Sequence, residues 1–290
     1  MAASAPLLVF GASGQVGTRV LARCRDQRQP VLALSRHAGQ HDTDDGVRWI
    51  GARLPDAVPP LPPVAAVLSL GPLDLFVDWF ACWRPTSAVQ VVALSSMSAV
   101  SKARSAHRGE RELAERMRRA EDVLARRCDD LGLPWTVLRP TLLWGTGMDR
   151  SLSRLARMAL RWRAMPLPQA QGLRQPVHVD DVAAAVLASL HNADASGCCI
   201  ECGGGERLTA SELFRRVRDS VPQRTVALPV PAWLLRGITP MARFSRAASA
   251  AARLNDDLLA DNSRLENVLG VHPRGFDPEP GAWQEAAVKT

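Results

Sequence analysis

The chain has 290 residues, of which 47% are hydrophobic and 22% charged, and its formal net charge is +7. This profile is typical of a globular protein with one large domain, and no apolar run reaches the roughly 20 residues that a membrane-spanning helix needs. The N-terminus lacks the basic region of a secretory signal, and the basic clusters lack interleaved aromatic residues, so we expect a cytoplasmic protein that binds neither membrane nor nucleic acid.

A glycine-rich turn lies near the N-terminus. The apolar run Leu7–Phe10 precedes it, and an amphipathic helical pattern follows it. In a strand–turn–helix unit, the first glycine permits the tight turn, the second lets the backbone approach a pyrophosphate, and the third lets the helix pack on the strand. The helix N-terminus also offers free N–H groups to phosphates. The sequence therefore predicts a dinucleotide site that contacts Gly11, Ser13, Gly14, Gln15, Val16 and Gly17.

Strand and helix patterns alternate through the first two thirds of the chain. Short apolar runs suit parallel strands buried on both faces, and they occur at Leu7–Phe10, Val31–Leu34, Val47–Ile50, Val64–Leu70, Val89–Leu94, Trp135–Leu138 and Cys198–Cys202. The clearest helical spacing runs from Leu113 to Leu131. The proline-rich segment 54–63 predicts a loop where a crossover helix would otherwise stand. We therefore expect an α/β fold of the Rossmann type, doubly wound and with about seven mostly parallel strands.

The regular alternation ends after Gly145. Residues 146–176 and 205–290 are rich in proline and look helical and loop-like. We predict one domain over residues 1–290, in which these two segments form a smaller C-terminal lobe above the strand ends. Cys199 and Cys202 have C-x-x-C spacing, but residues three apart on a strand point to opposite faces. We therefore expect reduced structural thiols and no metal site.

The end of the second predicted strand bears on the choice of cofactor. An acidic residue at this point would favour the free 2′-hydroxyl of NAD, but the sequence here is Ser35-Arg36-His37. The guanidinium of Arg36 can hold a 2′-phosphate through two hydrogen bonds, so we favour NADP(H) over NAD(H). The alternative is that Arg36 is an ordinary exposed loop arginine.

Five motifs occur in one order between residues 7 and 213. They are the glycine turn at 11–17, Leu-Ser-Ser-Met-Ser at 94–98, the segment 135–145 with its Arg-Pro-Thr, Pro-Val-His-Val-Asp-Asp-Val at 176–182, and Gly-Gly-Gly-Glu-Arg-Leu-Thr at 203–209. In these motifs the chain resembles the extended or atypical short-chain dehydrogenase/reductases, particularly the nucleoside-diphosphate-sugar epimerases and dehydratases. The resemblance implies a cofactor across the strand ends and a C-terminal lobe that closes over a sugar nucleotide or a similar anionic metabolite.

The resemblance also assigns residues to the two ligands. It implies that Ser96 hydrogen-bonds the reacting group of the substrate, and that the cofactor contacts Leu70, Ser95, Pro140 and Thr141. The alternative for the serines is that they satisfy backbone groups at a strand end. Arginines suit a diphosphate because the guanidinium binds phosphate oxygens in pairs. The resemblance therefore implies that Arg150 and Arg174 contact the diphosphate of the substrate. The alternative is that they form part of a solvated basic surface.

Two neighbouring features have an ordinary structural interpretation. Asp180 and Asp181 precede an apolar helical run, so we expect one of them to be the helix N-cap. His178 lies on a short extended run, and we expect it to be a packing residue and not a base.

The chain lacks the catalytic pair of the family that it resembles. That pair is a Tyr, which transfers the proton, and a Lys four residues later, which holds the cofactor ribose. The chain has no tyrosine, and alignment on Ala120-Glu121 places Leu113 and Met117 at the two positions. Ser98 and Lys102 have the right spacing but lie too close to the preceding strand.

Two functions stay open on the sequence. The first is an NADP-dependent reductase or epimerase in which Ser96 takes part in catalysis with a relocated acid. The second is a non-catalytic NADP-binding regulator, redox sensor or assembly subunit. The sequence also leaves open whether the chain forms a homodimer.

Overall fold

The computed structural model describes residues 5–41, 46–85, 89–230 and 253–283. The strands within these ranges are β1 (Leu7–Phe10), β2 (Val31–Ser35), β3 (Val47–Gly51), β4 (Ala66–Ser69), β5 (Gln90–Leu94), β6 (Trp135–Pro140), β7 (Leu143–Trp144), β8 (Ala164–Pro168), β9 (Leu173–Arg174), β10 (Val177–His178), β11 (Cys198–Cys202), β12 (Leu208–Thr209) and β13 (Val226–Val230). The α-helices are α1 (Gln15–Asp26), α2 (Leu73–Cys82), α3 (Ser98–Ser101), α4 (Arg108–Leu131), α5 (Leu152–Trp162), α6 (Val179–Ser189), α7 (Ala210–Asp219) and α8 (Ser263–Asn267).

A seven-stranded sheet in the order β11-β6-β5-β4-β1-β2-β3 forms the centre of the fold. Every neighbouring pair in this sheet is parallel. All seven predicted strands are present, and the predicted Rossmann-type α/β fold is confirmed. The segment 54–63 contains no helix, as its prolines predicted, and Leu54, Val58 and Leu61 pack against the core from within it.

Hydrophobic clusters cover both faces of the sheet. Along β1, Leu7 and Val9 belong to the cluster that contains α1 and α6, while Leu8 and Phe10 belong to the cluster that contains α2 and α4. This alternation follows from the two-residue period of a strand, and burial of both faces explains why every β1 residue is apolar. Strand β11 follows the same rule, because its C-x-x-C residues contact opposite clusters, as predicted.

The long helix α4 ends where its sequence changes. The apolar residues that it buries are Ala114, Ala120, Leu124 and Cys128. Of the predicted stripe, Ala120 and Leu124 are thus buried, whereas Leu113, Met117 and Leu131 are only half-buried. Gly132 follows with φ +64°, and its N–H donates back to the last turn of the helix. A glycine in this left-handed conformation is a common way to terminate a helix.

An ion pair inside the fold joins α4 to the end of β6. Glu121 is 3% exposed and accepts two hydrogen bonds from Arg139, at 3.0 Å from Nε and 2.5 Å from an Nη atom. The bond to Glu121 raises the pKa of Arg139. Glu121 therefore holds the guanidinium in a place where an unpaired charge would be poorly solvated.

We expect Glu121→Leu to lower the free energy of unfolding by about 3 kcal/mol, because it leaves the charge of Arg139 inside the fold without a partner. Urea unfolding followed by circular dichroism measures the change. Glu115→Leu is the matched control on the same helix, since Glu115 is 62% exposed beside Arg119, and exposed pairs contribute less than about 1 kcal/mol. Equal losses in the two variants would contradict a stabilising role for the Glu121 pair.

The later segments contain more strand than the sequence predicted. β8 pairs in parallel with β13, and β12 pairs with β9, so the helix-and-loop interpretation of residues 146–176 and 205–230 was wrong in part. Sequence analysis missed β8 and β13 because both contain proline, which is depleted in sheets. Proline is nevertheless tolerated in edge strands such as these short two-stranded ribbons. Residues 231–252 and 284–290 of the predicted lobe lie outside the described residues, and the single-domain boundary stays a prediction.

No helix in the described ranges combines the length and the apolar character needed to cross a membrane.

Candidate cofactor-binding site

The loops after β1 and β4 approach each other at the carboxyl edge of the sheet. Gly11 has φ +74°, and a Cβ atom placed on it would lie 2.7 Å from the backbone nitrogen of Gly71. Both the conformation and the space therefore require glycine at position 11. Sequence analysis missed Gly71, although a glycine directly after a predicted buried strand is the kind of signal that could have identified it.

The other two glycines of the turn differ in what surrounds them. A Cβ atom on Gly17 would lie 2.3 Å from the carbonyl oxygen of Gly11, so Gly17 allows α1 to pack on the turn, as predicted. A Cβ atom on Gly14 would meet only that same oxygen, at 3.1 Å. Gly14 is thus open on its outer side, and its predicted contact with a pyrophosphate remains a prediction.

The N-terminus of α1 has the electrostatics of an anion site. Gly14 is the N-cap and supplies no side-chain acceptor, and the first turn carries no acidic residue. The first N–H groups of a helix have no partners within the helix, and the helix dipole places partial positive charge there. The side chain of Val16 is buried in the core, so only its backbone can meet a ligand, whereas Ser13 is exposed.

The remaining predicted cofactor residues lie along the same edge. The N–H of Leu70 donates to the carbonyl of Phe10, and its side chain packs against the core. The Oγ atom of Ser95 is buried and has no hydrogen-bond partner in the described part of the chain. Pro140 is buried, and Thr141 donates its N–H to Cys202 and its hydroxyl to Gln175. Ser95 is therefore the residue of this group with a hydroxyl to offer a ligand.

The end of β2 is polar but contains no carboxylate. Ser35 is buried, accepts a hydrogen bond from the N–H of His37, and lies 3.5 Å from Nε2 of His41. The ring of His41 stacks on Trp49. Arg36 lies between Ser35 and His37 in this turn and is exposed, so its guanidinium is accessible from solvent at the position where a dinucleotide-binding fold meets the adenine ribose.

A pocket of about 280 Å³ lies between the loop after β4, the end of β5 and α4. Leu113 and Met117 line it together with Ser95. The helix thus presents apolar side chains at the two positions where the resembled family has its Tyr and Lys. Among the residues that line the pocket, the charged ones are Asp74 and Arg116, which pair with each other at 3.5 Å.

The serines proposed as substitutes are placed elsewhere. The Oγ atom of Ser96 accepts a hydrogen bond from the N–H of Ser98, which is the backbone role considered as an alternative for this residue. Ser98 begins α3 and Lys102 follows its end, so both precede α4. None of these residues lines the pocket that holds Leu113 and Met117.

The two arginines predicted to face a diphosphate have different environments. Arg174 is 7% exposed, and its guanidinium donates to the backbone carbonyls of Leu173 and Asp256. Burial lowers its pKa. Arg150 is exposed in the loop before α5. Arg174 therefore already binds the segment that packs over it, and its predicted contact with a substrate remains a prediction.

The N-cap of α6 is His178, so the expectation that Asp180 or Asp181 caps this helix was wrong. Nδ1 of His178 accepts a hydrogen bond from the N–H of Asp180, which requires an unprotonated Nδ1. Burial lowers the pKa of His178, in agreement with that state. The two carboxylates occupy the first turn, where they pair with Arg19 and Arg274.

His178 is also a packing residue, as predicted. Its ring lies edge-on to Trp144 with the ring centroids 4.6 Å apart. A Cβ atom on Gly145 would lie 2.3 Å from Nε2 of His178, so the histidine fills the space above that glycine.

No protein-family model matches this chain. A curated protein, the UDP-glucose 4-epimerase of Vibrio cholerae, is 23% identical over 157 residues. The match spans 53% of this chain and 46% of that enzyme, so the chain matches less than half of its curated relative.

Several solved structures share the fold over nearly the whole chain. The UDP-N-acetylglucosamine 4-epimerase of Bacillus cereus has a TM-score of 0.66 at 18% identity, and the match covers 97% of this chain and 98% of that one. The UDP-glucuronic acid 4-epimerase of Bacillus cereus, in complex with NAD, has a TM-score of 0.69 at 11% identity, with 98% of both chains covered. MoeE5, in complex with UDP-glucose and NAD, has a TM-score of 0.69 at 20% identity, covering 96% and 97%.

Two of these structural neighbours are sugar-nucleotide 4-epimerases and the third binds UDP-glucose, and all three share the fold of this chain over nearly its whole length. Identities of 11–20% establish a shared fold and not a shared activity. The arrangement of the sheet agrees with the motifs in the sequence, and this chain accordingly has the Rossmann-type fold of these sugar-nucleotide epimerases, as its sequence predicted.

Proposed function

We propose that this chain binds NADP(H) at the carboxyl edge of its sheet and holds it without the proton-transferring pair of its structural relatives. The observation that carries the proposal is the combination of an intact glycine turn with Leu113 and Met117 in the neighbouring pocket. Neither a leucine nor a methionine side chain can donate or accept a proton during catalysis. The site therefore retains the features for binding and lacks those for the chemistry.

The residues present fit a nicotinamide dinucleotide. The N–H groups of Gln15 and Val16 and the open side of Gly14 would hold the pyrophosphate. The cofactor, when bound, supplies a hydride donor or acceptor. MoeE5 and the UDP-glucuronic acid 4-epimerase are both in complex with NAD, which supports binding of a nicotinamide dinucleotide but not the choice between NAD and NADP.

A reductase or epimerase acting on a sugar nucleotide is the second candidate. MoeE5 binds UDP-glucose together with NAD, and the exposed guanidinium of Arg150 is available to an anionic ligand. The pocket weighs against this candidate. Its charged residues are Asp74 and Arg116, and they pair with each other at the half-exposed rim, so neither is a buried acid or base beside Ser95. We therefore place the non-catalytic function first.

The preference for NADP is assigned to Arg36, since residues 35–41 offer no carboxylate to a free 2′-hydroxyl. We expect wild-type protein to bind NADPH more tightly than NADH. Arg36→Ala should weaken NADPH binding about tenfold to a hundredfold, because a hydrogen-bonded charge pair contributes roughly 1.5–3 kcal/mol. NADH affinity should stay unchanged. Calorimetric titration measures all four affinities.

Arg48→Ala is the control for the loss of one exposed positive charge nearby, because Arg48 lies on β3 and is exposed. It should leave the NADPH-to-NADH ratio as in the wild type. A wild-type preference for NADH would refute the assignment of Arg36. Failure of both dinucleotides to bind would refute the proposed function itself.

A further inference from the structure

The pocket beside α4, named here the Leu113 pocket, has an apolar interior. Leu73 and Leu94 are each 7% exposed, and Leu113, Met117 and Ala120 complete its apolar wall. Its volume of about 280 Å³ exceeds the roughly 150 Å³ of an apolar cavity that accepts benzene. The space is thus sufficient for a single substituted ring.

One hydrogen-bonding group lies within this apolar wall. The Oγ atom of Ser95 is buried and makes no hydrogen bond to the described residues. A buried hydroxyl without a partner is costly, so a ligand with one suitably placed oxygen would gain from meeting it. Ligand sites commonly combine apolar walls with a small number of such polar groups.

The rim of the pocket carries no net charge. Asp74 lies in the first turn of α2 and Arg116 lies on α4, and Nε of Arg116 is 3.5 Å from Oδ2 of Asp74. Because each charge is offset by the other, the rim selects neither an anion nor a cation. A ring with several hydroxyls, such as a sugar, would leave most of them without partners against Leu113 and Met117, which is unfavourable.

We propose that the Leu113 pocket binds an uncharged aromatic or alicyclic ring that carries one carbonyl or hydroxyl group, with Ser95 hydrogen-bonding that group. The inference deepens the proposed function by naming the chemical class of the second ligand, and it rests on that function for the dinucleotide beside the pocket. In a larger anionic metabolite, the part that enters this pocket would be such a ring.

The test uses 4-fluoroacetophenone as the probe and fluorine relaxation of the probe as the readout, with the full-length chain in the presence and absence of NADPH. Wild-type protein should bind it saturably, and excess glucose should not displace it. Met117→Trp fills the pocket and should weaken binding at least tenfold. Ser95→Ala removes the hydroxyl and should weaken binding about threefold to tenfold.

Leu75→Trp is the matched control, because Leu75 lies on α2 but is 39% exposed and does not line the pocket. Its affinity for the probe should equal that of the wild type. Equal affinities in wild type, Met117→Trp and Ser95→Ala would overturn the inference, as would no binding to the wild type or displacement by glucose. Ser95→Ala is small enough to keep the test valid if Met117→Trp does not fold.

A calorimetric titration of the same samples with NADPH separates the two proposals. Binding of NADPH without binding of the ketone refutes the ligand class and leaves the proposed function standing. Binding of the ketone without NADPH supports the ligand class and refutes the proposed function.

Discussion

Wild-type protein saturated with NADPH should not oxidise it when UDP-glucose or a panel of carbonyl compounds is added. A positioned general acid or base typically contributes about 10²–10⁴-fold to a rate, and the side chains of Leu113 and Met117 supply neither. Stopped-flow absorbance of the bound dinucleotide measures oxidation. Because an epimerase shows no net oxidation, chromatographic analysis of UDP-glucose and its epimer completes the experiment.

The double variant Leu113→Tyr, Met117→Lys tests the same reasoning in the opposite direction. It places a phenol and an ammonium group on the face of α4 that lines the pocket, so hydride transfer should rise by about 10²-fold if acid catalysis is what the site lacks. Leu75→Tyr is the control, because it adds a phenol outside the pocket.

Rapid turnover by the wild type would contradict this prediction. If that turnover survives both Ser96→Ala and Lys102→Ala, a different acid is present in the site. If it disappears in either variant, the region of α3 takes part in catalysis, and the protein is the reductase or epimerase of the second candidate function.

Gly14→Asp should abolish dinucleotide binding and leave the fold intact. The N-cap Gly14 has an extended conformation, with φ −80° and ψ 171°, that any residue can adopt. A Cβ atom at this position would lie 3.1 Å from the carbonyl oxygen of Gly11, which would have to move by only a few tenths of an ångström. Aspartate is also a favourable N-cap. The new carboxylate would occupy the open side of the turn and neutralise the positive end of α1, so phosphate binding should be lost.

Gly14→Asn is the matched control, since it has nearly the same shape and is also a good N-cap, but it carries no charge. It should weaken NADPH binding less than Gly14→Asp does. Thermal unfolding of both variants should occur at or above the wild-type temperature. Unchanged NADPH affinity in Gly14→Asp, measured by calorimetry, would mean that the glycine turn is not the cofactor site.

The central sheet could be predicted because its signal is local. A strand buried on both faces is predominantly apolar, as β1 is throughout and as β2 and β4 are up to their last residue, a serine. The glycine turn was similarly readable, since tight backbone geometry at Gly11 and Gly17 excludes other residues. These features depend on near neighbours in the chain, and so the sequence alone identified them.

The strands β8 and β13 could not be predicted because their stability comes from each other. Each contains proline, and they are separated by more than fifty residues of chain. The N-cap of α6 was missed for a related reason. Asp180 and Asp181 are good capping residues by type, but Arg19 and Arg274, which are distant in sequence, pair with them, while His178 takes the cap.

By itself, the sequence determined the Rossmann-type sheet, the glycine turn and the absence of a Tyr-Lys pair, because each depends on residue type and short spacing. Only the tertiary structure decided which of the candidate groups meet. It brought Leu113, Met117 and Ser95 into one pocket and placed Ser96 just before α3, where its hydroxyl accepts a hydrogen bond from the N–H of Ser98. It also tied the guanidinium of Arg174 to the carbonyl of Asp256. Which side chains are buried, and which groups form hydrogen bonds or ion pairs, depends on segments that are distant in the chain, so no single segment of the sequence reveals it.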